Sequence, residues 1–596
     1  MGMLSYINIR GDNSLLMLRT SHGTMVGIDP VSRVLRHADV SQLVTLFGVQ
    51  IPTGDYVFVA ADGGSFHLNL GYTFRNAALV AARCVTGVSN GVGLLDKLVE
   101  KYFMADPDGQ LVVNRTEIFG WETFELVSVP KSHIPSGCYD RLNCFSFWTK
   151  DNTNINSNLR DVVELSVNCL SRNQIPQFIS KIELDDRFRG WGDLLGVDDP
   201  WLGASENALK AWEAGSRSRS GLAERDWLMP PEYDFLSQAG SEGQLISVGH
   251  AISRVKRSLI EPSRKWCIVT TVRNEGVYLV DWIAYHKSLG VDTIFVYSNN
   301  NDDGSDRLLE ALDAVEAIVW MRNAVQGAVS PQYKAYGHAF GLLPDILDYE
   351  WALLIDLDEY IIVDSKKFEN VSSFLDWEMS LGANTIMMTW QVIGSSRQAR
   401  WVDLPVPERF VDRQAREPTL TKCFTQPRWT SHSHCHFPWF SQVFTMQCLD
   451  ATGQEVDDFN DGNVSAPSIV KRATRKEPIS ENAWINHYWY KSAEEFLARR
   501  TYAGGGESIV EHGNVPPSFA AHFAGQEFGE IDKSISHLLP GMYHFRNQIL
   551  ASSKVKDARD YVNSRYAEIL AQKIRSNLRS DDVSVKTLAE LVIKSN

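Results

Sequence analysis

The sequence predicts an α/β protein in which an all-β segment precedes a doubly wound, mostly parallel sheet. Residues 266–320 alternate strand, helix, strand, helix, strand, and this order is typical of a parallel sheet covered by helices. Within residues 1–130, extended apolar runs and short turns recur at a spacing of roughly 40 residues, which indicates an internal β repeat. The length of 596 residues predicts several domains, because single cores of this size are rare.

The N-terminal repeat consists of three similar stretches. The clearest copies, 56–64 and 102–114, each predict a β-hairpin, and 15–19 together with 25–29 supply the third. Residues 121–126 carry a Trp-Glu-x-Phe element, and with it the segment resembles the fascin-like β-trefoil family. The resemblance implies a trefoil-like domain that binds sugars or protein filaments, or alternatively a structural module that packs against an enzyme.

Composition and charge exclude several classes of protein. The chain is 44% hydrophobic and 22% charged, as in ordinary globular proteins. A net charge of −15 argues against nucleic acid or an anionic membrane as the partner. The eight cysteines form no C-x-x-C pair, and no stretch approaches the ~20 apolar residues of a membrane-spanning helix. We therefore expect a cytoplasmic protein without a transmembrane segment.

The middle of the chain carries the strongest pattern. The apolar runs 266–272, 293–297 and 317–320 predict buried strands, and amphipathic helices are expected over 277–288 and 306–312. Ligands of such sheets bind at the carboxyl ends of the strands. Functional residues are therefore expected directly after each apolar run.

An acidic turn, Asp356-Leu357-Asp358-Glu359, follows a further apolar run at 351–355. Two carboxylates at i and i+2 after a strand point to one side and can share Mg²⁺ or Mn²⁺, which neutralises a diphosphate. Alternatively, the turn only caps the next element. The polar loops after the other strands, Arg273-Asn274-Glu275 and residues 298–305, favour a nucleotide site, although Asn-Asp-Gly-Ser is also a common turn composition.

These motifs resemble the GT-A-fold glycosyltransferases of the family-2-like group, including the branch related to the metazoan β-galactosyltransferases. The resemblance covers residues 265–505, about two fifths of the chain. The matching segments, in order, are Arg273-Asn274-Glu275-Gly276, residues 279–286, Gly290-Val291-Asp292, Asp303-Gly304-Ser305, Asp356-Leu357-Asp358-Glu359-Tyr360, Gly394-Ser395-Ser396, Lys422, His436-Phe437-Pro438, and residues 485–488 and 491–496.

The resemblance implies a nucleoside site made by the first two strand ends. Arg273, Asn274 and Glu275 would flank the nucleoside, and Asp303 would help to shape its pocket. Asn299 is expected to contact the nucleotide-sugar donor as well. The family usually has an acidic residue just after the strand predicted at 293–297, where this chain has Ser298 and Asn299. The identity of the base therefore stays open.

The same resemblance implies a site for Mn²⁺ or Mg²⁺. Asp356 and Asp358 would hold the metal and the diphosphate, and Asp356 would thus also bind the donor. His436 or His487 is the preferred additional ligand or phosphate contact, although a structural role is the more common one for a single histidine.

Two further sets of residues are candidates, one for a separate metal site and one for the general base. His432, His434 and His436 alternate in sequence, so in an extended segment they share one face and suggest a separate zinc site. Asp403 and Glu408 are candidate general bases, but many exposed carboxylates fit equally well. The sequence assigns no catalytic base.

The leading hypothesis is an inverting hexosyltransferase of polysaccharide biosynthesis. It would use a nucleotide-sugar, expected to be UDP-linked, and a glycan or lipid-linked acceptor. The alternatives are a phosphohydrolase of the haloacid-dehalogenase type, which also places D-x-D after a buried strand, and a non-catalytic glycan-binding protein. The expected domains are a trefoil-like module (1–130), an unassigned linker (131–262), the GT-A domain (263–510) and a helical region (511–596).

Overall fold

The protein is a mixed α/β molecule with separate β-rich and α/β parts. The computed structural model describes residues 15–50, 55–62, 66–70, 73–77, 80–86, 91–96, 101–130, 200–215, 256–258, 260–323, 330–414, 419–440, 447–456, 474–475, 479, 481–499, 517–526 and 528–595. Most of the predicted linker at 131–262 lies outside these residues.

Twelve strands in the described part of residues 15–129 form one sheet. They are β1 (Leu15–Thr20), β2 (Met25–Ile28), β3 (Leu35–Ala38), β4 (Val44–Gln50), β5 (Asp55–Ala60), β6 (Phe66–Leu70), β7 (Thr73–Ala77), β8 (Val80–Thr86), β9 (Val92–Asp96), β10 (Lys101–Ala105), β11 (Leu111–Arg115) and β12 (Thr123–Val129). A short 3₁₀ helix, Val40–Gln42, precedes β4.

Six of these strands close into a ring. β1 pairs with β4, β4 with β5, β5 with β8, β8 with β9, β9 with β12, and β12 again with β1, all antiparallel. The other six form the antiparallel pairs β2 with β3, β6 with β7, and β10 with β11. Buried side chains from several strands, including Leu18, Phe58, Leu94, Phe103 and Phe124, fill the interior.

The hairpin predictions have different outcomes. The hairpin at 102–114 is confirmed as β10 and β11, and the turn is held by Asp106, whose Oδ1 accepts hydrogen bonds from the N–H groups of Asp108 and Gln110. The hairpin at 56–64 is wrong, because β5 pairs with β4 and β8 while β6 pairs with β7 and β11. Period-two patterning marks extended segments but does not specify their partners.

The α/β part is built on a ten-stranded sheet with the order β15-β14-β13-β16-β20-β18-β25-β17, with β23 beside β18 and β24 beside β20. The four strands β13 to β16 are mutually parallel, and β20 runs antiparallel to both β16 and β18. The strands are β13 (Arg264–Val272), β14 (Thr293–Ser298), β15 (Val319–Arg322), β16 (Tyr349–Leu354), β17 (Glu359–Val363), β18 (Thr385–Val392), β20 (Thr419–Thr425), β23 (Cys448–Asp450), β24 (Thr474–Arg475) and β25 (Ala483–His487).

Two small sheets and the helices complete the described structure. The small sheets pair β19 (Asp412–Gln414) with β26 (Phe528–Ile531) and β21 (Thr430–Ser433) with β22 (Pro438–Phe440). The helices are α1 (Pro200–Ala214), α2 (Gly276–Ser288), α3 (Ser305–Ala314), α4 (Pro331–Gly341), α5 (Val371–Ser380), α6 (Val406–Arg409), α7 (Ala493–Arg499), α8 (Pro517–Ala524), α9 (Leu539–Leu550), α10 (Ser553–Asn577) and α11 (Val583–Lys594), with a 3₁₀ turn at Pro344–Asp348.

The large sheet is covered on both faces, and successive residues of β13 show this. Trp266 and Ile268 enter a core shared with α2 and the C-terminal helices, whereas Cys267 and Val269 enter a core shared with α1 and α4. A strand buried on both faces is an uninterrupted apolar run, as the sequence pattern indicates. No helix in the described part of the chain is both long and apolar enough to cross a membrane.

Helix α2 lies between the sheet and the C-terminal helices, and residues 276–286 are all buried. Trp282 donates from Nε1 to the Glu359 carbonyl at 2.8 Å, and Tyr285 donates to the Ile361 carbonyl at 2.7 Å. On its other side, Asp281 accepts from Arg546 of α9. The helix therefore fixes β17, which begins directly after the acidic turn, against the rest of the domain.

Candidate active site

The loops that follow the first two parallel strands are joined by side chains. β13 and β14 are parallel neighbours, so their carboxyl ends lie at the same edge of the sheet. The Asn274 N–H donates to Asn301 Oδ1 at 2.7 Å, and the Asp302 N–H donates to Asn274 Oδ1 at 2.8 Å. The predicted nucleoside segments therefore form one connected unit.

Backbone and burial in these loops have features common at ligand sites. Asn274 and Asn300 adopt left-handed conformations with φ of 55° and 47°, which are uncommon for non-glycine residues but are adopted most readily by asparagine. Asn299 is buried, and its Nδ2 has no hydrogen-bond partner among the described residues. Arg273 and Glu275 are partly buried in the preceding loop.

Asp303 connects the same two loops through hydrogen bonds of its carboxylate. Its Oδ2 accepts from the Gly276 N–H at 3.3 Å and from the Ser305 hydroxyl at 2.8 Å, while Oδ1 accepts from the Ser305 N–H at 2.9 Å. Burial raises the pKa of this carboxyl above its ordinary value. Asp303 thus joins the N-termini of α2 and α3 and directs its oxygens at the protein.

The two aspartates of the acidic turn have different surroundings. The Asp356 side chain is 27% exposed, and its oxygens accept from Gln332 Nε2 at 3.1 Å and from Lys422 Nζ at 2.8 Å. Asp358 is buried, and its Oδ2 lies 3.3 Å from His487 Nε2. Asp356 is therefore the carboxylate that faces solvent.

A fully buried lysine lies behind the acidic turn. The Nζ of Lys422, on β20, is 2.8 Å from Asp356 Oδ2 and 3.3 Å from Glu359 Oε2. Burial opposes the charged form of this lysine, but the two carboxylates outweigh it and raise the pKa. Burial also raises the pKa of Glu359, whose Oε2 accepts from the Asp356 N–H at 2.9 Å. The roles of Lys422 and Glu359 were not predicted, although a lone lysine in an apolar strand is a usable signal.

The antiparallel register of β17 and β25 places His487 directly opposite Glu359. The ring of Trp390, on β18, lies 4.1 Å from that of His487 and 5.4 Å from that of His436. His436 makes a 2.9 Å hydrogen bond through Nδ1 to the Thr421 carbonyl, and burial lowers its pKa well below the ordinary value. The structure thus brings His487 against Asp358 and places both His487 and His436 beside Trp390.

The extended segment that was expected to place His432, His434 and His436 on one face is wrong. β21 ends at Ser433, and the His434 N–H donates to the Phe437 carbonyl, so residues 434–437 form a tight turn rather than an extended segment. His434 stacks on Phe437 with ring centroids 4.9 Å apart, and burial lowers its pKa to about 4. The His434 and His436 rings nevertheless lie 5.4 Å apart, and the separate zinc site stays a prediction.

The family model described as Glycosyltransferase family 92 matches residues 266–451. Glycosyltransferase family 92 proteins from Ricinus communis and Oryza sativa subsp. japonica are 34% identical over 104 residues and 31% identical over 101 residues, which cover 17% and 16% of each chain. Another from Arabidopsis thaliana is 27% identical over 135 residues, 22% of each chain. The chain therefore spans less than a quarter of the length of these relatives in each match.

The match covers the strand ends and both aspartates, whereas His487 lies beyond it. The expected placement in the family-2-like group is more specific than this match and stays a prediction. Among solved structures, S. aureus TarS 1-349 aligns at 10% identity over 56% of this chain and 92% of that chain, with a TM-score of 0.21. A similarity of that size gives no information about the fold.

The predicted metal ligands supply suitable donors, two carboxylates and imidazole nitrogens at one edge of the sheet. In the described residues, no group of three or more His, Cys, Asp or Glu side chains is arranged to hold a metal ion. Asp356 is bonded to Lys422 and Gln332, and Asp358 lies against His487. The carboxylate oxygens fit Mn²⁺ or Mg²⁺, whereas imidazole nitrogens are ligands of transition metals, and the metal site stays a prediction.

Side chains of the C-terminal helices form hydrogen bonds to both candidate general bases, Asp403 and Glu408. Asp403 accepts from Arg559 at 2.5 Å and from Asn563 at 3.1 Å. Glu408 accepts a hydrogen bond from the Tyr543 hydroxyl. These contacts give both carboxylates a role in attaching α9 and α10 to the domain.

Proposed function

We propose that the chain is a metal-dependent glycosyltransferase whose α/β domain has the GT-A arrangement. It would move a hexose from a nucleotide diphosphate sugar, UDP-linked by preference, to a glycan or lipid-linked acceptor with inversion. The observation that carries the proposal is the match to Glycosyltransferase family 92 over residues 266–451, the segment that contains the three polar strand ends. The four parallel strands support the GT-A assignment.

The nucleoside would bind at the joined loops after β13 and β14. Asn274 and Asp303 hold these loops together, and Arg273, Glu275 and Asn299 lie in the same unit. The unpartnered Nδ2 of buried Asn299 supports a polar contact to the donor, because buried donors of hydrogen bonds are rarely left unsatisfied. Donor binding would supply that partner.

Asp356 and Asp358, with His436 and His487, would hold Mn²⁺ or Mg²⁺ and the diphosphate. The metal, when bound, neutralises the diphosphate and stabilises the departing nucleotide. Lys422 holds Asp356 on the protein side, so one carboxylate oxygen keeps a fixed direction. His487 orients Asp358 in the same way from β25.

The N-terminal unit is proposed to be a β-trefoil of the fascin-like type. A closed ring of six strands with three additional hairpins supports this assignment, since three hairpin-bearing repeats are what the sequence period predicts. The domain boundaries at 130, 262 and 510 and the cytoplasmic location stay predictions.

The proposal is tested by a screen of nucleotide-sugars with Mn²⁺, scored by nucleotide release. Asp358→Asn keeps the shape of the side chain but removes the charge, so we expect release to fall at least roughly 100-fold. Asp376→Asn is the matched control, because Asp376 is 63% exposed and pairs only with Lys265 in the contacts of the described residues. Equal release by wild type and Asp358→Asn would contradict the metal site, and no release from any donor would contradict the transferase.

A further inference from the structure

Helix α10 lies against the loops of the proposed nucleoside site, although it follows the family match by about a hundred residues. We propose that α10 is part of the donor site, and that Tyr561 and Val562 are positioning residues for the loops before α2 and α3. The inference rests on the proposed function for the identity of the ligand that these loops bind. The packing of α10 against the loops does not depend on the proposed function.

The first contact is between Tyr561 and Gly304. Gly304 precedes α3 with φ of 92°, and a Cβ added there would lie 2.7 Å from Tyr561 Cε1. The guanidinium of Arg307, one turn into α3, lies 5.2 Å from the centroid of the Tyr561 ring. The ring therefore covers the turn that ends the Asn299–Asp303 loop, and only glycine fits beneath it.

The second contact joins three segments at one point. A Cβ added to Gly276 would lie 2.5 Å from Ser305 Oγ and 2.9 Å from Val562 Cγ1. Val562 is fully buried, and Ser305 is the residue whose hydroxyl donates to Asp303. The start of α2, the start of α3 and the middle of α10 thus meet without free space.

Helix α10 is itself anchored, so it can serve as a fixed surface. The Tyr566 hydroxyl is 2.9 Å from that of Tyr278 on α2, and Tyr278 donates to Glu495 at 3.0 Å. About two turns earlier, Arg559 donates a hydrogen bond to Asp403. These contacts hold α10 at both ends of the segment that touches the loops.

The contact with α10 differs in kind from the contacts within the loops. Asn274 and Asn300 hold left-handed conformations, which are uncommon for non-glycine residues but which asparagine adopts more readily than the others. Within the loops, the cross-links are hydrogen bonds to side chains of asparagine and aspartate. The contact with α10 adds a packed apolar wall, which hydrogen bonds alone do not provide.

The test compares Tyr561→Ala, Tyr561→Phe and Glu568→Ala in the full chain. Amide hydrogen exchange is measured at residues 274–276 and 300–305, and affinity for UDP with Mn²⁺ is measured by calorimetry. Tyr561→Ala is expected to speed exchange of these amides and to weaken UDP binding, each by roughly tenfold, with Tm nearly unchanged because the side chain is 44% exposed. Tyr561→Phe keeps the ring and should restore both values.

Glu568→Ala is the matched control, since Glu568 lies on α10 two turns further along and bonds Arg565 at the surface. Unchanged loop exchange in Tyr561→Ala would overturn the inference even if UDP binds. Failure of the wild type to bind UDP would instead contradict the proposed function, while the exchange data would still decide the positioning role.

Discussion

Lys422 is the residue on which the acidic turn depends for charge balance. Its ammonium is fully buried between Asp356 and Glu359. Removing one partner of a buried ion pair costs about 3–5 kcal/mol, because the remaining charge loses both water and its counter-ion. We therefore expect Lys422→Met to lower Tm by roughly 6–20 °C in thermal unfolding.

The double variant Lys422→Met/Glu359→Gln serves as the control for this prediction. It removes the buried carboxylate that Lys422 neutralises, so it should recover part of the lost Tm. A Tm of Lys422→Met close to that of the wild type would show that water, rather than the lysine, compensates the two carboxylates.

Glu378, on α5, predicts a pH dependence of stability. The side chain is fully buried, neither carboxylate oxygen has a hydrogen-bond partner among the described residues, and burial, with the charge of Asp450, raises its pKa to about 8. Between the unfolded value of about 4.3 and about 8, the native state holds a proton that the unfolded chain has released. The free energy of unfolding therefore falls by up to ~1.4 kcal/mol per pH unit across this window as pH rises.

The variant Glu378→Gln isolates this effect, because the amide has a similar shape and does not titrate. We expect the Tm of the wild type, relative to that of Glu378→Gln, to decrease from pH 5 to pH 8, and thermal unfolding at several pH values measures it. A difference that stays constant with pH would show that Glu378 is ionised in the native state at every pH tested.

The residues predicted from sequence were those in contiguous motifs. Asp356 and Asp358 stand together after an apolar run, so their position at a sheet edge could be inferred from a short window. The contacts of Lys422 and His487 depend on strand pairing between distant segments, β20 with β16 and β25 with β17. No local pattern carries that information, which is why these contacts appear only in the structure.

At the scale of elements, the type of element was more predictable than its partner. The strands of residues 266–320 were predicted from uninterrupted apolar runs, and the helices were predicted from an amphipathic spacing of apolar residues. The hairpin predicted at 56–64 is wrong in its partner, and the pairing of β17 with β25 was not predicted, since register is set by the tertiary core and turn geometry.

Helix α10 shows a related limit. The sequence indicates helical spacing in two pieces, 558–562 and 566–570, and the structure joins them in one helix of 25 residues. Its apolar stripe, which includes Val555, Val562 and Tyr566, is buried against α2 and α3. An amphipathic pattern states that one face is buried but not which element buries it.

At the scale of the whole molecule, the N-terminal ring has the features of an independent unit. The register of β1 with β12 runs from Leu15 opposite Val129 to Thr20 opposite Phe124, and it closes the ring within residues 15–129. Among the described residues, the buried cluster of this region, which includes Phe58 and Phe103, contains only residues of the same segment. A closed ring also leaves its six strands without an open edge.

We therefore expect an expressed fragment of residues 1–130 to fold without the rest of the chain. Far-UV circular dichroism should show β structure, and urea should unfold the fragment in one cooperative step with a free energy of at least about 5 kcal/mol. A fragment that ends at residue 121 is the control, because it lacks β12 and exposes the edges of β1 and β9, so it should fail to fold or should aggregate. Non-cooperative unfolding of the 1–130 fragment would show that the ring needs the α/β domain, and the predicted boundary at residue 130 would then be wrong.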